Sequence, residues 1–310
     1  MVKIISSLLL LLSFGLQTHA QQFIPLWPDG KMPNSKNLHL KDSLVNDRAY
    51  LIANPGMYAF LPSKEENNGS AVLIFPGGGY DHLTFDLGGF QIAKWFNSLG
   101  VSAFVVMYRL PTSPDLKERE SGPLQDAQRA IRIVRSNASK WHIKKDKIGV
   151  QGSSAGGHLA TLLGTFTADV SSLKDEMDTI SYRPDYMILV SPVIDLGKYA
   201  HTGSRNNFLG KNPSQELINK YSTQNNVSSQ TPVCFIVDAF NDKAVPPQNS
   251  LLFYQALLKN HISASFHVFP QGGHSIGLSN NPGSTELWKQ LCEGWLKEMG
   301  ITSNLTTHVN

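Results

Sequence analysis

Cysteine, dense charge clusters and long apolar runs are all scarce in this chain of 310 residues. Its two cysteines, Cys234 and Cys292, lie in apolar surroundings without metal-ligand spacing, so they predict no metal or cofactor site. Two buried free thiols are expected, although an oxidising compartment would also allow them to pair. The net charge is +3 and no dense run of Lys or Arg occurs, which argues against nucleic acid as a partner.

The N-terminus has the pattern of a secretory signal. Lys3 precedes an apolar run that is too short to span a bilayer comfortably, and a small-residue cleavage site lies before Gln21. We therefore expect removal of residues 1–20 and a periplasmic or secreted protein without membrane association; an uncleaved membrane anchor is the alternative. Residues 21–300 are long enough for one globular domain, and a polar tail follows at 301–310.

Beyond an irregular or short-stranded segment that reaches about residue 70, apolar runs of strand length alternate with helical patterns. The predicted strands are 71–75, 102–107, 148–150, 186–190, 233–237 and 263–269, and the predicted helices lie near 90–99, 123–141, 251–258 and 285–299. Strands that are connected through helices indicate a mostly parallel sheet with helices on both faces, which is an α/β fold.

The segment Gly152-Ser153-Ser154-Ala155-Gly156 lies between a predicted strand and a predicted helix. In that context the pattern Gly-x-Ser-x-Gly is typical of a nucleophile elbow, in which a strained turn exposes the central serine. The two glycines allow the strand and the helix to pass close together. The alternative is a glycine-rich turn with an incidental serine.

Three residue types that can form a catalytic triad, Ser154, Asp242 and His274, each follow a different predicted strand. The chain order Ser, Asp, His is the one found in α/β-hydrolases. Ser154 would be the nucleophile, His274 the general base, and Asp242 the group that orients the imidazole. Asp238 is the rival acid, but it lies within the strand, where a buried charge would need a partner of its own.

A glycine-rich loop follows the strand at 71–75. The backbone N–H groups of Gly78 and Gly79, together with that of Ala155, are predicted to form an oxyanion hole. A phosphate-binding loop is the competing interpretation, but the segment lacks the Gly-Lys-Ser/Thr ending that such loops carry.

The chain resembles bacterial secreted α/β-hydrolases of the acetyl xylan esterase and feruloyl esterase type. Four motifs carry this resemblance: Pro76-Gly77-Gly78-Gly79-Tyr80, Asp126-Ala127-Gln128-Arg129-Ala130, Gly152-Ser153-Ser154-Ala155-Gly156-Gly157-His158 and Gly273-His274. The resemblance implies a cofactor-free serine esterase that acts on plant polysaccharides and uses the triad and glycine loop named above. Two positions depart from the family pattern, since Pro76 replaces a histidine and Asn241 stands where relatives often have a second acid.

The substrate is predicted from the segment between the strands 186–190 and 233–237, which is polar and contains no amphipathic lid. This favours a sugar over a long acyl chain. Tyr80 either contacts the substrate, by lining the acyl pocket or stacking on sugar, or serves only in packing. We expect an esterase that removes acyl groups, chiefly acetyl, from a carbohydrate partner such as xylan. The alternatives are a feruloyl esterase, a short-chain carboxylesterase, or a non-catalytic sugar-binding protein with the same fold.

Overall fold

A computed structural model describes residues 22–274 and 276–302. The predicted signal segment and most of the predicted tail lie outside these ranges. The strands are β1 (Gln22–Pro25), β2 (Ser43–Val45), β3 (Arg48–Leu51), β4 (Gly56–Phe60), β5 (Ala71–Phe75), β6 (Ser102–Met107), β7 (Ile148–Ser153), β8 (Tyr186–Val190), β9 (Val233–Ala239) and β10 (Ala264–Phe269). The α-helices are α1 (Gln91–Ser98), α2 (Ser121–Ser136), α3 (Ala155–Thr165), α4 (Thr202–Leu209), α5 (Gln215–Tyr221), α6 (Gln248–Lys259) and α7 (Trp288–Glu298).

Eight of these strands form one twisted sheet in the order β1-β4-β6-β5-β7-β8-β9-β10. The pairs from β6 to β10 are parallel, whereas β1 and β4 are added antiparallel at one edge. One apolar core contains residues of α2, α3 and α6, and a second core contains residues of α1 and α7. The predicted mostly parallel sheet with helices on both faces is confirmed. Because the central strands are parallel, their carboxyl ends meet at one edge, where the predicted site residues lie.

The N-terminal segment is short-stranded, as predicted, and its Trp27 bonds to a buried ion pair, Arg109–Asp126, at helix α2. Asp126 of α2 accepts hydrogen bonds from Trp27 Nε1 at 2.7 Å and from Arg109 Nη2 at 2.8 Å. All three residues are buried. Trp27 therefore joins the N-terminal segment to α2 through a hydrogen bond to a charged group, which is the stronger kind.

Helix α2 begins and ends earlier than the prediction of 123–141. It starts at Ser121, so Pro123 lies at its third position, where a proline is still tolerated because first-turn N–H groups have no helical acceptor. At the other end, the side-chain amide of Asn137 donates to the carbonyl of Ile133 at 2.9 Å and competes with the backbone. Trp141 is nevertheless buried, because the chain continues through turns that keep it on the same apolar face.

The folded domain extends two residues beyond the predicted boundary at 300. Ile301 is 7% exposed and packs in the second core, and its carbonyl accepts a hydrogen bond from the hydroxyl of Ser70. Thr302 is also buried. These two residues therefore belong to the fold and not to the polar tail.

Cys234 and Cys292 are both buried and free, and burial raises the pKa of each thiol. They are the two buried thiols that the sequence predicts. Among residues 22–274 and 276–302, no group of three His, Cys, Asp or Glu side chains could hold a metal ion. The helices within the same ranges are all too short or too polar to cross a membrane.

Candidate active site

The turn between β7 and α3 holds Ser154 in a strained backbone conformation, with φ 55° and ψ −121°. Its N–H donates to the carbonyl of Val190 at 3.1 Å, and its carbonyl accepts from the N–H of Val193 at 3.0 Å. A Cβ on Gly152 would overlap the carbonyl of Gly156, so the strand and the helix can pass only because that side chain is missing. These features are those of a nucleophile elbow at the carboxyl edge of the sheet.

The structure brings the three predicted triad residues into one hydrogen-bonded chain. His274 Nε2 lies 2.8 Å from Ser154 Oγ, and His274 Nδ1 lies 2.7 Å from Asp242 Oδ2. The side chain of Asp242 is fully buried, and its other oxygen accepts the backbone N–H groups of Ala244 and Val245 at 2.9 Å. The imidazole is 28% exposed and so remains open to a substrate.

This arrangement determines where the imidazole proton lies. A carboxylate can only accept hydrogen bonds, so Nδ1 of His274 carries the proton and donates a hydrogen bond to Asp242. Nε2 is left with a lone pair that faces the hydroxyl of Ser154. The histidine is therefore in the tautomer that can remove the serine proton during attack on an acyl carbon.

The rival acid, Asp238, is fully buried but makes its hydrogen bonds elsewhere. It accepts from the hydroxyl of Ser250 at 2.7 Å and from the N–H of Ala239 at 2.9 Å. Burial is the main cause that raises its pKa to about 7, and the charge of Asp242 contributes in the same direction. Of the two acids that the sequence left open, Asp242 is the one that contacts the imidazole.

The raised pKa of Asp238 has a consequence for stability. The folded protein releases this proton near pH 7, whereas an unfolded chain releases it near the ordinary value of 3.8, so stability is lost as pH rises between the two. We expect Asp238→Asn, which cannot ionise, to raise the free energy of unfolding at about pH 8 by up to roughly 4 kcal/mol. Urea unfolding of both proteins measures this difference, which should shrink towards pH 4. Equal stability at the higher pH would contradict it.

The glycine loop lies against the nucleophile. A Cβ on Gly77 would be 3.3 Å from the Cβ of Ser154. The carbonyl of Gly78 accepts from the N–H groups of Asp81 and His82, and the carbonyl of Gly79 accepts from Asn207 Nδ2 at 2.9 Å. Within the described ranges, the N–H groups of Gly78, Gly79 and Ala155 make no hydrogen bond to the protein. They are thus available for an oxyanion, and their catalytic role stays a prediction.

Tyr80 lies in the protein interior and is not accessible from the surface. Its side chain is fully buried and stacks on Phe208, and its hydroxyl lies 2.9 Å from Nδ1 of His158. The other ring nitrogen of His158 donates to the carbonyl of Tyr221 at 2.8 Å, and burial lowers the pKa of His158 to about 4. The assignment of Tyr80 to substrate binding is therefore corrected: its burial leaves packing as its role, and it anchors the end of the glycine loop.

Two further polar residues, Asn241 and His201, lie at the site without a motif that would predict them. The side chain of Asn241 accepts the N–H of Gly273 at 2.8 Å and so holds the backbone that precedes His274. The ring of His201 lies beside that of His274, with centroids 6.5 Å apart and an interplanar angle of 20°. In the sequence, Asn241 is distinguished only as a departure from the family pattern, and His201 lies within a polar segment. Neither contact is visible in a sequence, since each depends on how distant loops pack.

Comparison with known proteins gives the family. The model of the BD-FAE family matches residues 57–257, which is more than half of the chain. An acetylxylan esterase of Xylanibacter ruminicola is 36% identical over 227 residues, which cover 72% of this chain and 44% of that protein. Endo-1,4-beta-xylanase B of Butyrivibrio fibrisolvens is 35% identical over 227 residues, which cover 73% of this chain and 35% of that protein. The chain thus spans less than half the length of either relative.

A solved structure resembles the protein over nearly its whole length. It is an acetyl ester-xyloside bifunctional hydrolase from Caldicellulosiruptor lactoaceticus, with 36% identity and a TM-score of 0.78. The similarity covers 91% of this chain and 98% of that one. The carboxylesterase Cest-2923 of Lactobacillus plantarum shares the fold at 24% identity and a TM-score of 0.68. The chain therefore belongs to the BD-FAE family, and it is an α/β-hydrolase similar to carboxylic-ester hydrolases of the acetyl xylan esterase type.

Proposed function

We propose that the protein is an exported serine esterase that removes acyl groups, chiefly acetyl, from xylan or a related plant polysaccharide. The observation that carries the proposal is the hydrogen-bonded chain from Ser154 through His274 to the buried Asp242, at 2.8 and 2.7 Å. The names of the relatives favour an acetylated xylose polymer as substrate. Export rests on the N-terminal signal pattern.

The reaction follows from the positions of these groups. Ser154 Oγ attacks the acyl carbon while His274 Nε2 takes its proton, and the oxyanion forms beside the free N–H groups of the glycine loop and Ala155. His274 then gives the proton to the departing sugar oxygen, which leaves an acyl group on Ser154. A water molecule, deprotonated by the same nitrogen, releases the acid and restores the serine. Asp242 stabilises the imidazolium in both steps.

The substrate assignment is tested by measuring product release from natural esters. The purified protein is incubated with acetylated and with feruloylated xylo-oligosaccharides, and acetate and ferulate are quantified separately. We expect a higher kcat/KM for acetate release. A preference for ferulate would replace the acetyl assignment with a feruloyl esterase. Release of neither acid, with p-nitrophenyl acetate still hydrolysed, would indicate a short-chain carboxylesterase without a carbohydrate substrate.

A further inference from the structure

The histidine beside the triad, His201, lies between two parts of the proposed site. It precedes α4 in the segment that connects β8 to β9, and it is half-buried. Its ring is nearly parallel to that of His274, and a Cβ on Gly79 would lie 3.7 Å from its Cε1 atom. His201 therefore borders the glycine loop on one side and the catalytic imidazole on the other.

Hydrogen bonding at the start of α4 determines which nitrogen of His201 carries the proton. Nδ1 accepts the backbone N–H of Ser204 at 3.2 Å and lies 2.7 Å from the hydroxyl of the same residue. A backbone N–H can only donate, so Nδ1 must present a lone pair. The neutral ring then carries its proton on Nε2, because a neutral imidazole has one N–H.

The surroundings of His201 favour its neutral form. Burial is the largest cause that lowers the pKa of His201, and the charge of His274 adds to it, whereas Asp242 acts in the opposite direction. Protonation would also place a hydrogen on Nδ1, against the N–H of Ser204. Within the described part of the chain, Nε2 has no protein partner among the hydrogen bonds of His201. A neutral N–H donor with no partner among the described residues thus lies beside the catalytic histidine.

We propose that His201 is a substrate-binding residue whose Nε2–H donates to a sugar hydroxyl next to the ester bond. This inference rests on the proposed function. The alcohol half of the ester must lie near His274, because that imidazole returns the proton to the departing sugar oxygen. His201 stands beside the same imidazole, on the segment between β8 and β9 that contains α4 and α5. A neutral N–H can donate a hydrogen bond to a hydroxyl oxygen. A site built to bind a hydroxyl discriminates against esters that lack one.

The variant His201→Asn removes the Nε2–H donor while keeping an acceptor for the start of α4. Asparagine is a preferred residue at a helix N-cap, so its side-chain oxygen can accept the N–H of Ser204 in place of Nδ1. It is too short to place a donor where Nε2 lies. We expect KM for an acetylated xylo-oligosaccharide to rise about tenfold with kcat little changed, because one neutral hydrogen bond to bound substrate is lost. Hydrolysis of p-nitrophenyl acetate, whose leaving group has no neighbouring hydroxyl, should stay within about twofold of wild type.

A second variant tests whether a polar group returned to the position of Nε2 restores binding. His201→Gln places an amide N–H₂ near the position of Nε2 and should recover part of the affinity for the sugar ester. Equal losses on both substrates in His201→Asn would overturn the inference, since His201 would then act through His274 or the fold. Unchanged kinetics on the sugar ester would also overturn it. A wild-type protein that hydrolyses p-nitrophenyl acetate but no sugar acetate would refute the proposed function first, and the inference with it.

Discussion

Ser154→Ala is expected to lower kcat for p-nitrophenyl acetate by about 10⁶-fold while the protein stays folded. The hydroxyl oxygen of Ser154 is the atom that bonds to the acyl carbon, and no other residue of the elbow places an oxygen at that position. Alanine keeps the Cβ, so the backbone strain at φ 55° is the same in both proteins. Initial rates and circular dichroism of the purified variant measure the two parts of this expectation.

The neighbouring serine provides a matched control. Ser153 lies at the end of β7, and its hydroxyl accepts from Gln151 Nε2 at 3.0 Å; the side-chain partners of His274 among the described residues are Asp242 and Ser154. Ser153→Ala removes the same atom one residue away and should leave kcat within about tenfold of wild type. Similar losses of kcat in both variants would mean that any change in the elbow impairs activity. The loss in Ser154→Ala would then not identify Ser154 as the nucleophile.

Asp242→Asn is expected to lower kcat by about 10⁴-fold with little effect on the fold. An amide in place of the carboxylate can face the ring with its N–H₂ group, which requires a lone pair on Nδ1 and moves the proton to Nε2. His274 then presents an N–H to Ser154 and cannot take the serine proton. The amide also fails to stabilise the imidazolium that forms during attack.

Asp238→Asn is the control for the acid. Asp238 contacts Ser250 and the backbone of Ala239, and its carboxyl group makes no hydrogen bond to His274. The variant should therefore keep most of its activity, even though it is expected to be more stable than wild type at about pH 8. If Asp238→Asn were as inactive as Asp242→Asn, the assignment of a single orienting acid would be wrong.

The middle of the sheet was predictable because its central strands are buried on both faces. Such strands consist almost entirely of apolar residues, and β5, β6 and β8 begin and end at the predicted residues. Strand β9 runs two residues beyond the prediction, since the charged Asp238 interrupts the apolar pattern although it remains in the sheet. Where a polar residue is buried with its own partner, the apolar pattern alone underestimates the length of the strand.

The site was predictable where a local motif determines it and unpredictable where it depends on packing between loops. The elbow at Ser154 follows from five consecutive residues, and the triad order follows from strand ends. The orientation of Tyr80 depends instead on Phe208 and His158, which reach it from other elements. The position of His201 beside His274 likewise arises only when the segment after β8 folds back over the sheet.

The most direct test of the covalent mechanism is to stop turnover of p-nitrophenyl acetate with acid and locate the acetyl group by peptide mass spectrometry. We predict an acetyl ester on Ser154 in the wild type and none in Ser154→Ala. An acetyl group bound at another residue, or steady turnover without any acylated peptide, would contradict a reaction that proceeds through Ser154.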